Sequence, residues 1–389
     1  MILKRVLKYL FMLLPVSLLV TCITPFSPEG LEESGGTLVI EGDIILNGYT
    51  KVYVSESRDL DSSDPIKYHL NAEVSVLSDR GDEYRGSLVL ESHLPPHYII
   101  DTRDLPFDRN YFLRVVLVNG LRFESDYLSP ESAHTPEIDA IDFVVNDRKT
   151  SVDFTVTTYG NQNTSRYYRW SFVEDWEITS VYLPTHYFDP TIGRILQYFT
   201  DPLLYYCWRQ AISSPVIVAK TDHLENNSVI RQRVHTIYAW DDRISFLYSM
   251  ELQQMSISKE AYTYWESMRK NTDELGGIFA PQPSEVYGNI HLVHSDNQPD
   301  IKVLGYISVG TVTSKRIFVN GGEIGIYQQM SGCDPLDTGD TPMTNTQKYR
   351  AGYRYTGDDI DEEWALLRCV DCTTRGTKNR PSFWPNNHE

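Results

Sequence analysis

The dipeptide Asn-Gly stands between apolar runs at Asn47-Gly48, Asn119-Gly120 and Asn320-Gly321. It accepts the positive φ of tight hairpin turns, so its placement between alternating segments constrains the chain to antiparallel pairing. The strongest signal is residues 111–118 (YFLRVVLV), then Asn119-Gly120 in an expected type I′ turn, then residues 121–125. Residues 37–46 and 50–55 flank Asn47-Gly48 in the same way, and residues 72–77 (AEVSVL) alternate before a turn at 78–81. Strands at this spacing predict one antiparallel sandwich over residues 37–135.

Leu105-Pro106 ahead of Tyr111 resembles the entry to a late strand of an immunoglobulin or fibronectin type III-like domain. Residues 131–136 mark a boundary. Beyond it strands are expected at 141–145, 151–157, 166–175, 243–252, 288–293, 301–309 and 316–319, with a hairpin at Asn320-Gly321 leading into 325–328. Residues 181–206, rich in Tyr, Phe and Pro, form a long irregular excursion, and long loops tend to be functional. One helix is expected over residues 258–275. Ser258 suits its N-cap, Ile257 and Tyr262 a hydrophobic staple, and Ala261, Trp265, Met268 and Leu275 one apolar face. A short helix is expected over 358–367, with acids in its first turn. The fold class is therefore all-β and mainly antiparallel, with one amphipathic helix. A first sandwich is followed by a larger β-rich domain at 136–389 with a Cys-clamped C-terminal end.

Residues 1–21 carry Lys4, Arg5 and Lys8 before an apolar run, which is the pattern of a secretory signal. The run is too short for the roughly 20 residues of a spanning helix. It ends at Leu18-Leu19-Val20-Thr21-Cys22, a lipobox-like sequence, so Cys22 is expected to carry acyl chains and residues 22–36 to act as a tether. Formal charge is −18. The signal carries three of the bases and no acid, so the mature chain is more acidic still. Such a balance argues against nucleic acid as a partner. The other cysteines, Cys207, Cys333, Cys369 and Cys372, form an even set suited to disulfides in an oxidising envelope, and all pairings stay open. Cys369-Val370-Asp371-Cys372 lacks the βαβ context of a redox motif and the second pair that a zinc site needs. A clamp from the C-terminal end to the segment carrying Cys333 is expected.

Chemistry-bearing motifs are few. His291 and His294 fall on opposite faces of an expected strand, which argues against a shared metal. Asp334, Asp337 and Asp340, and again Asp358, Asp359 and Asp361, are oxygen-rich sets of the kind that hold calcium, but neither has EF-hand spacing. Solvated loop acids are the expected account, with no cofactor and no metal. Glu174, Asp175 and Glu177 beside Trp170 and Trp176 offer the carboxylate pairs of a glycoside hydrolase. Strand-end acids are common, and the chain is expected not to be an enzyme. Aromatic residues of the excursion, namely Tyr182, Tyr187, Phe188, Tyr198, Phe199 and Tyr205, are the candidates for partner or ligand contact.

Several motifs together carry a resemblance: Tyr167-Tyr168-Arg169-Trp170, Trp176-Glu177, Cys207-Trp208, Tyr264-Trp265, Gly277-Ile278-Phe279-Ala280-Pro281-Gln282-Pro283, Gly288-Asn289-Ile290, Gly305-Tyr306, the Cys369–Cys372 pair and Pro381-Ser382-Phe383-Trp384. They resemble a bacteroidete outer-membrane lipoprotein family labelled a domain of unknown function. Its members are typically encoded beside TonB-dependent transporters. The resemblance implies a surface lipoprotein paired with an outer-membrane β-barrel importer, and it carries no catalytic residues. A subunit of an outer-membrane assembly or surface-export machine, and a carbohydrate-active hydrolase, are the alternatives.

Overall fold

In the strand Tyr49–Glu56, Thr50, Val52 and Val54 are buried while Tyr49, Lys51 and Tyr53 turn outward. That period of two sets one apolar face, and the face needs a partner layer. The computed structural model describes residues 36–385 except 59–61, 92–93, 131–133, 162–163, 198–203, 274–285, 287, 294–300, 327–330, 338, 340–341 and 358–362. The signal, Cys22 and the tether lie outside the described residues. Residues 37–389 form one unit.

Its first sandwich packs one sheet, Val303–Leu304, Leu38–Gly42, Tyr49–Glu56, His97–Asp101 and Ser87–Val89, on another. The second sheet runs Ile290–Leu292, Arg122–Ser125, Tyr111–Val116, Glu73–Ser78 and Glu83–Arg85. Ile40, Val52, Val76, Ile100, Leu113 and Phe123 fill the space between. Tyr111 is fully buried, and its hydroxyl donates to the Pro106 carbonyl at 2.6 Å. Burial pushes that phenol up to about 12.

The hairpin at Asn119-Gly120 forms, with a different turn. Only Gly120 takes a positive φ, of 83°, and Gly120 N donates to Leu117 O while Leu117 N donates to Leu121 O. A type I turn closed by a left-handed glycine satisfies these bonds, whereas type I′ would need Asn119 left-handed too.

The larger difference concerns residues 289–310, which were expected in the second domain. Ile290–Leu292 pairs antiparallel with Arg122–Ser125. Val303–Leu304 and Val309–Gly310 pair parallel with Leu38–Gly42 and Ile44–Ile45. The first sandwich is therefore closed by strands from far along the chain, which cover its exposed edges. Glycines allow the approach. A Cβ on Gly305, whose φ is +134°, would sit 1.9 Å from the Ile40 carbonyl oxygen.

A three-stranded sheet, Ala140–Val145, Ser151–Tyr159 and Ser228–Tyr238, packs on the sheet Tyr206–Ile212, Tyr167–Thr179, Leu247–Ser256 and Val312–Asn320. Phe154, Tyr168, Trp170, Phe172, Tyr248 and Leu252 form the core between them. The helix spans Lys259–Asp273, and Ala261 N donates to Ser258 Oγ at 3.1 Å. Ala261 and Tyr264 are buried, and Trp265 is half-buried under the Arg169 guanidinium at 4.8 Å. Leu275 lies outside the described residues. Asn320-Gly321 makes no hairpin. Asn320 caps the one-turn helix Gly321–Ile324, accepting from Gly322 N, because a side-chain oxygen can satisfy a helix N-terminus as readily as a turn. Residues 364–366 are a strand, not helix, and the helical turn follows at Leu367–Val370.

Gly305→Ala is expected to destabilise the unit by about 3 kcal/mol or more, because backbone must move to admit the methyl. Gly81→Ala, at φ +88° with nothing within 4 Å, should cost about 1 kcal/mol. Denaturant midpoints of the two variants compare them, and equal shifts would refute the close-approach account.

Candidate functional site

Residues 182–206, expected to be irregular, contain a hairpin of His186–Asp189 and Arg194–Gln197. Asp189 supports it by accepting from Thr191 N, and Gly193 supplies the left-handed residue of its turn, with a φ of 71°. The hairpin packs on the C-terminal part of the chain. There, the ladder Tyr353–Tyr355 with Trp364–Leu366 stands beside the helix Asn345–Arg350, which a Thr344–Gln347 capping box starts. Phe188, Tyr355 and Trp364 form a small buried cluster, with Tyr349 and Tyr353 against it.

Two disulfides hold this module. Cys207 pairs with Cys372, and Cys333 with Cys369, at Cα separations of 5.7 and 5.6 Å. The C-x-x-C cysteines thus diverge, one to a strand of the second sandwich and one to the loop at Cys333. Only the latter link was expected. Cys369 sits in the helical turn Leu367–Val370 and Cys372 in the turn that follows it, Cys372–Thr374.

Between hairpin and ladder lies a cavity of about 480 Å³, lined in part by Tyr187, Phe188, Asp189, Tyr349, Arg354 and Tyr355. Arg354 lies over the Tyr349 ring at 4.1 Å and donates to the carbonyls of Tyr349 and Tyr353. Among the described residues it has no carboxylate partner. The cavity can hold a small polar ligand against aromatic walls, and among the described residues only Nη1 of Arg354 is bonded, which leaves it further donors.

The sequence candidates divide. Tyr187 and Phe188 line the cavity. Tyr182 instead braces a disulfide, donating to the Cys333 carbonyl at 2.6 Å. Tyr205 packs edge-on against Tyr206. Tyr198 and Phe199 lie outside the described residues. Arg354 was missed because nothing local marks a cation whose partners are carbonyls.

Glu174, Asp175 and Glu177 are all buried, and they lie within the strand Tyr167–Thr179. Alternation sends Glu174 to the inner face of the sheet and Asp175 and Glu177 to the outer one. Glu174 accepts from Arg243 Nη1 and the Tyr248 hydroxyl, each at 2.8 Å. His235 Nε2 stands 3.0 Å from it. Burial pushes the Glu174 carboxyl up, and His235, Arg243 and Tyr248 together pull it below its ordinary value. Asp175 accepts from Gln210 at 2.8 Å and faces Arg316 at 3.3 Å. Glu177 accepts from Trp384 Nε1. Phe383 covers Arg316 at 3.5 Å, so the C-terminal aromatic pair closes the outer face. Glu174 and Asp175 therefore make no hydrolase pair.

Asp334 and Asp337 are exposed, and Asp337 accepts from Gly339 N. Asp340, Asp358, Asp359 and Asp361 lie outside the described residues. Among the described residues no three His, Cys, Asp or Glu converge as a metal set. His291 is exposed and bonds to Asp126 at 3.1 Å, and His294 lies outside the described residues.

A family model described as a domain of unknown function, DUF4249, matches residues 23–316. The chain belongs to that family. The matched span includes both sandwiches of this DUF4249 protein and stops before most of the clamped C-terminal module. No curated protein matches the chain.

Two outcomes follow. Glu174 adds stability that is present above its ordinary value near 4.5 and lost as pH falls through its lowered folded value. Glu174→Gln should remove that acid-side slope and lower stability at neutral pH by about 2 kcal/mol, since Arg243 keeps only Asp241, at 3.1 Å, as a carboxylate partner. Denaturation midpoints from about pH 7 to about pH 3 test this. Cys333→Ser with Cys369→Ser reopens a 36-residue separation, worth about 4 kcal/mol in loop entropy. Limited proteolysis should then cut within residues 182–206 while the sandwiches resist.

Proposed function

We propose that this DUF4249 protein is a lipid-anchored lipoprotein of the outer-membrane surface that serves a TonB-dependent transporter as an accessory subunit. It helps to capture or admit a ligand and catalyses no reaction. The observation that carries the reading is the division of the cysteines. Of five, four close two disulfides, which leaves Cys22 at the end of the lipobox for acylation. Structural disulfides suit an oxidising compartment. Among the described residues no helix is long and apolar enough to cross a membrane, which suits attachment through a lipid.

The first sandwich acts as a fibronectin type III-like spacer. The Tyr111 hydroxyl bonded back to Pro106 is the kind of corner such domains use. The clamped aromatic module supplies the contact surface. Aromatic residues with an arginine are the usual energetic centre of a protein interface.

Cys22→Ser should move the protein from the outer-membrane fraction to the soluble envelope fraction and abolish acyl mass on its N-terminal peptide. Tagged wild type, purified from solubilised outer membrane, should bring down a TonB-dependent barrel, and recovery of no barrel counts against the accessory role. General loss of outer-membrane barrels on depletion would favour an assembly function instead.

A further inference from the structure

Outward-facing residues of the two sandwiches meet across a second cavity, of about 470 Å³. Tyr49, Lys51 and Tyr53 line one side, from the strand whose alternate residues Thr50, Val52 and Val54 fill the first core. Arg169, Ser171 and Gln253 line the other, from strands whose alternate residues Tyr168, Trp170, Phe172 and Leu252 fill the second core. These six wall residues are thus held by packed strands. Asp43 bonds to Arg169 across the seam, and both side chains are largely buried. Asn47 ties the floor by accepting from Val312 N and donating to Val312 O, each at 3.0 Å.

The lining selects among ligand classes. Arg169 is already paired and stacked on Trp265, so it offers no naked charge to a phosphate. An apolar ligand would strand Ser171 and Gln253 without partners. Tyr49 is 46% exposed, and among the described residues the side chains of Lys51, Ser171 and Gln253 make no hydrogen bond. Tyrosine faces beside planar amide, carboxylate and guanidinium groups suit a molecule with C–H faces and hydroxyl edges. The faces cover the rings, and each planar group can take two neighbouring hydroxyls. We propose that this seam binds a short oligosaccharide, with Tyr49, one face of which Arg103 covers at 4.7 Å, offering its other face as the stacking platform and Gln253, Arg169 and Asp43 reading hydroxyls. The volume lies within the roughly 300–1,000 Å³ of small-molecule sites, which favour junctions between packed units. The inference rests on the surface-capture reading only for the source of the glycan.

The test uses the full-length lipoprotein in detergent, run through native gels that contain amylopectin, laminarin, mannan or polygalacturonate. At least one polymer should retard it. Tyr49→Ala and Gln253→Ala should each weaken retention by that polymer about tenfold or more, with unchanged thermal midpoints. Arg354→Ala, in the other cavity, should leave retention unchanged. Retardation by none of the four, or retention unaltered in both seam variants, would overturn the proposal. Loss confined to Arg354→Ala would do so too, by moving the sugar to the C-terminal module. Barrel recovery is scored separately: a retarded protein that brings down no barrel counts against the transporter role and leaves the glycan site standing.

Discussion

Two buried crossings of the chain, lying side by side, make the sandwiches one body. The first runs through Thr135-Pro136 and the second through Thr311 to Thr313. Thr135 N donates to Thr311 Oγ1 at 2.8 Å, and Thr135 Oγ1 donates to the Thr311 carbonyl at 2.6 Å. Gln254 Nε2 and Thr313 Oγ1 both donate to the Pro136 carbonyl. The Gln254 oxygen accepts in turn from Trp170 and Thr158 in the second core. A buried polar network of this kind is stable only when every member is satisfied, and so it admits one arrangement. The seam cavity, the Asp43–Arg169 pair and the placement of the helix all inherit their geometry from it.

The clamped module obeys a different constraint. Its apolar clusters are small, and a small core buries too little surface to offset chain entropy alone. The disulfides supply what packing lacks, and they attach the hairpin of the excursion to the chain end. The same chain end seals Asp175 and Glu177 with Phe383 and Trp384. An acidic protein thus keeps its inner carboxylates at fixed sites, each against a named donor. Leaving any of them unpaired would cost several kcal/mol.

Local features were the legible ones. Alternation in residues 111–118 located the strand Tyr111–Val116, and Ser258 located the start of the helix; the strand expected at 243–252 instead runs Leu247–Ser256, because Asp242–Ile244 turns as a 3-10 helix, and Ser249, expected outward, is buried. Turn chemistry was half legible. Asn-Gly signals positive φ, but whether one or two residues take it depends on the strand ladder around it. At Asn320 the side chain chose a helix end instead. Long-range choices were not legible at all. Nothing in residues 289–310 says that their partners are Leu38–Gly42 and Arg122–Ser125, because edge strands select by exposed backbone, which carries no side-chain code. The aromatic candidates were chosen by abundance. Tyr187 and Phe188 reached a cavity and Tyr182 became a brace, because backbone direction at each position decides the outcome.

Rigidity of the seam has a consequence for binding. Its walls stand mainly on strands of two closed cores, and the largely buried Arg169 that crosses it is held by Asp43 on one side and Trp265 on the other. A ligand therefore meets preformed groups and needs little reorganisation, which preserves affinity for weak, hydroxyl-rich contacts. The clamped module is tied to the second sandwich through Cys207 and to its own loop through Cys333, and neither bond reaches the seam. A partner that engages the aromatic module can accordingly do so without disturbing a ligand in the seam.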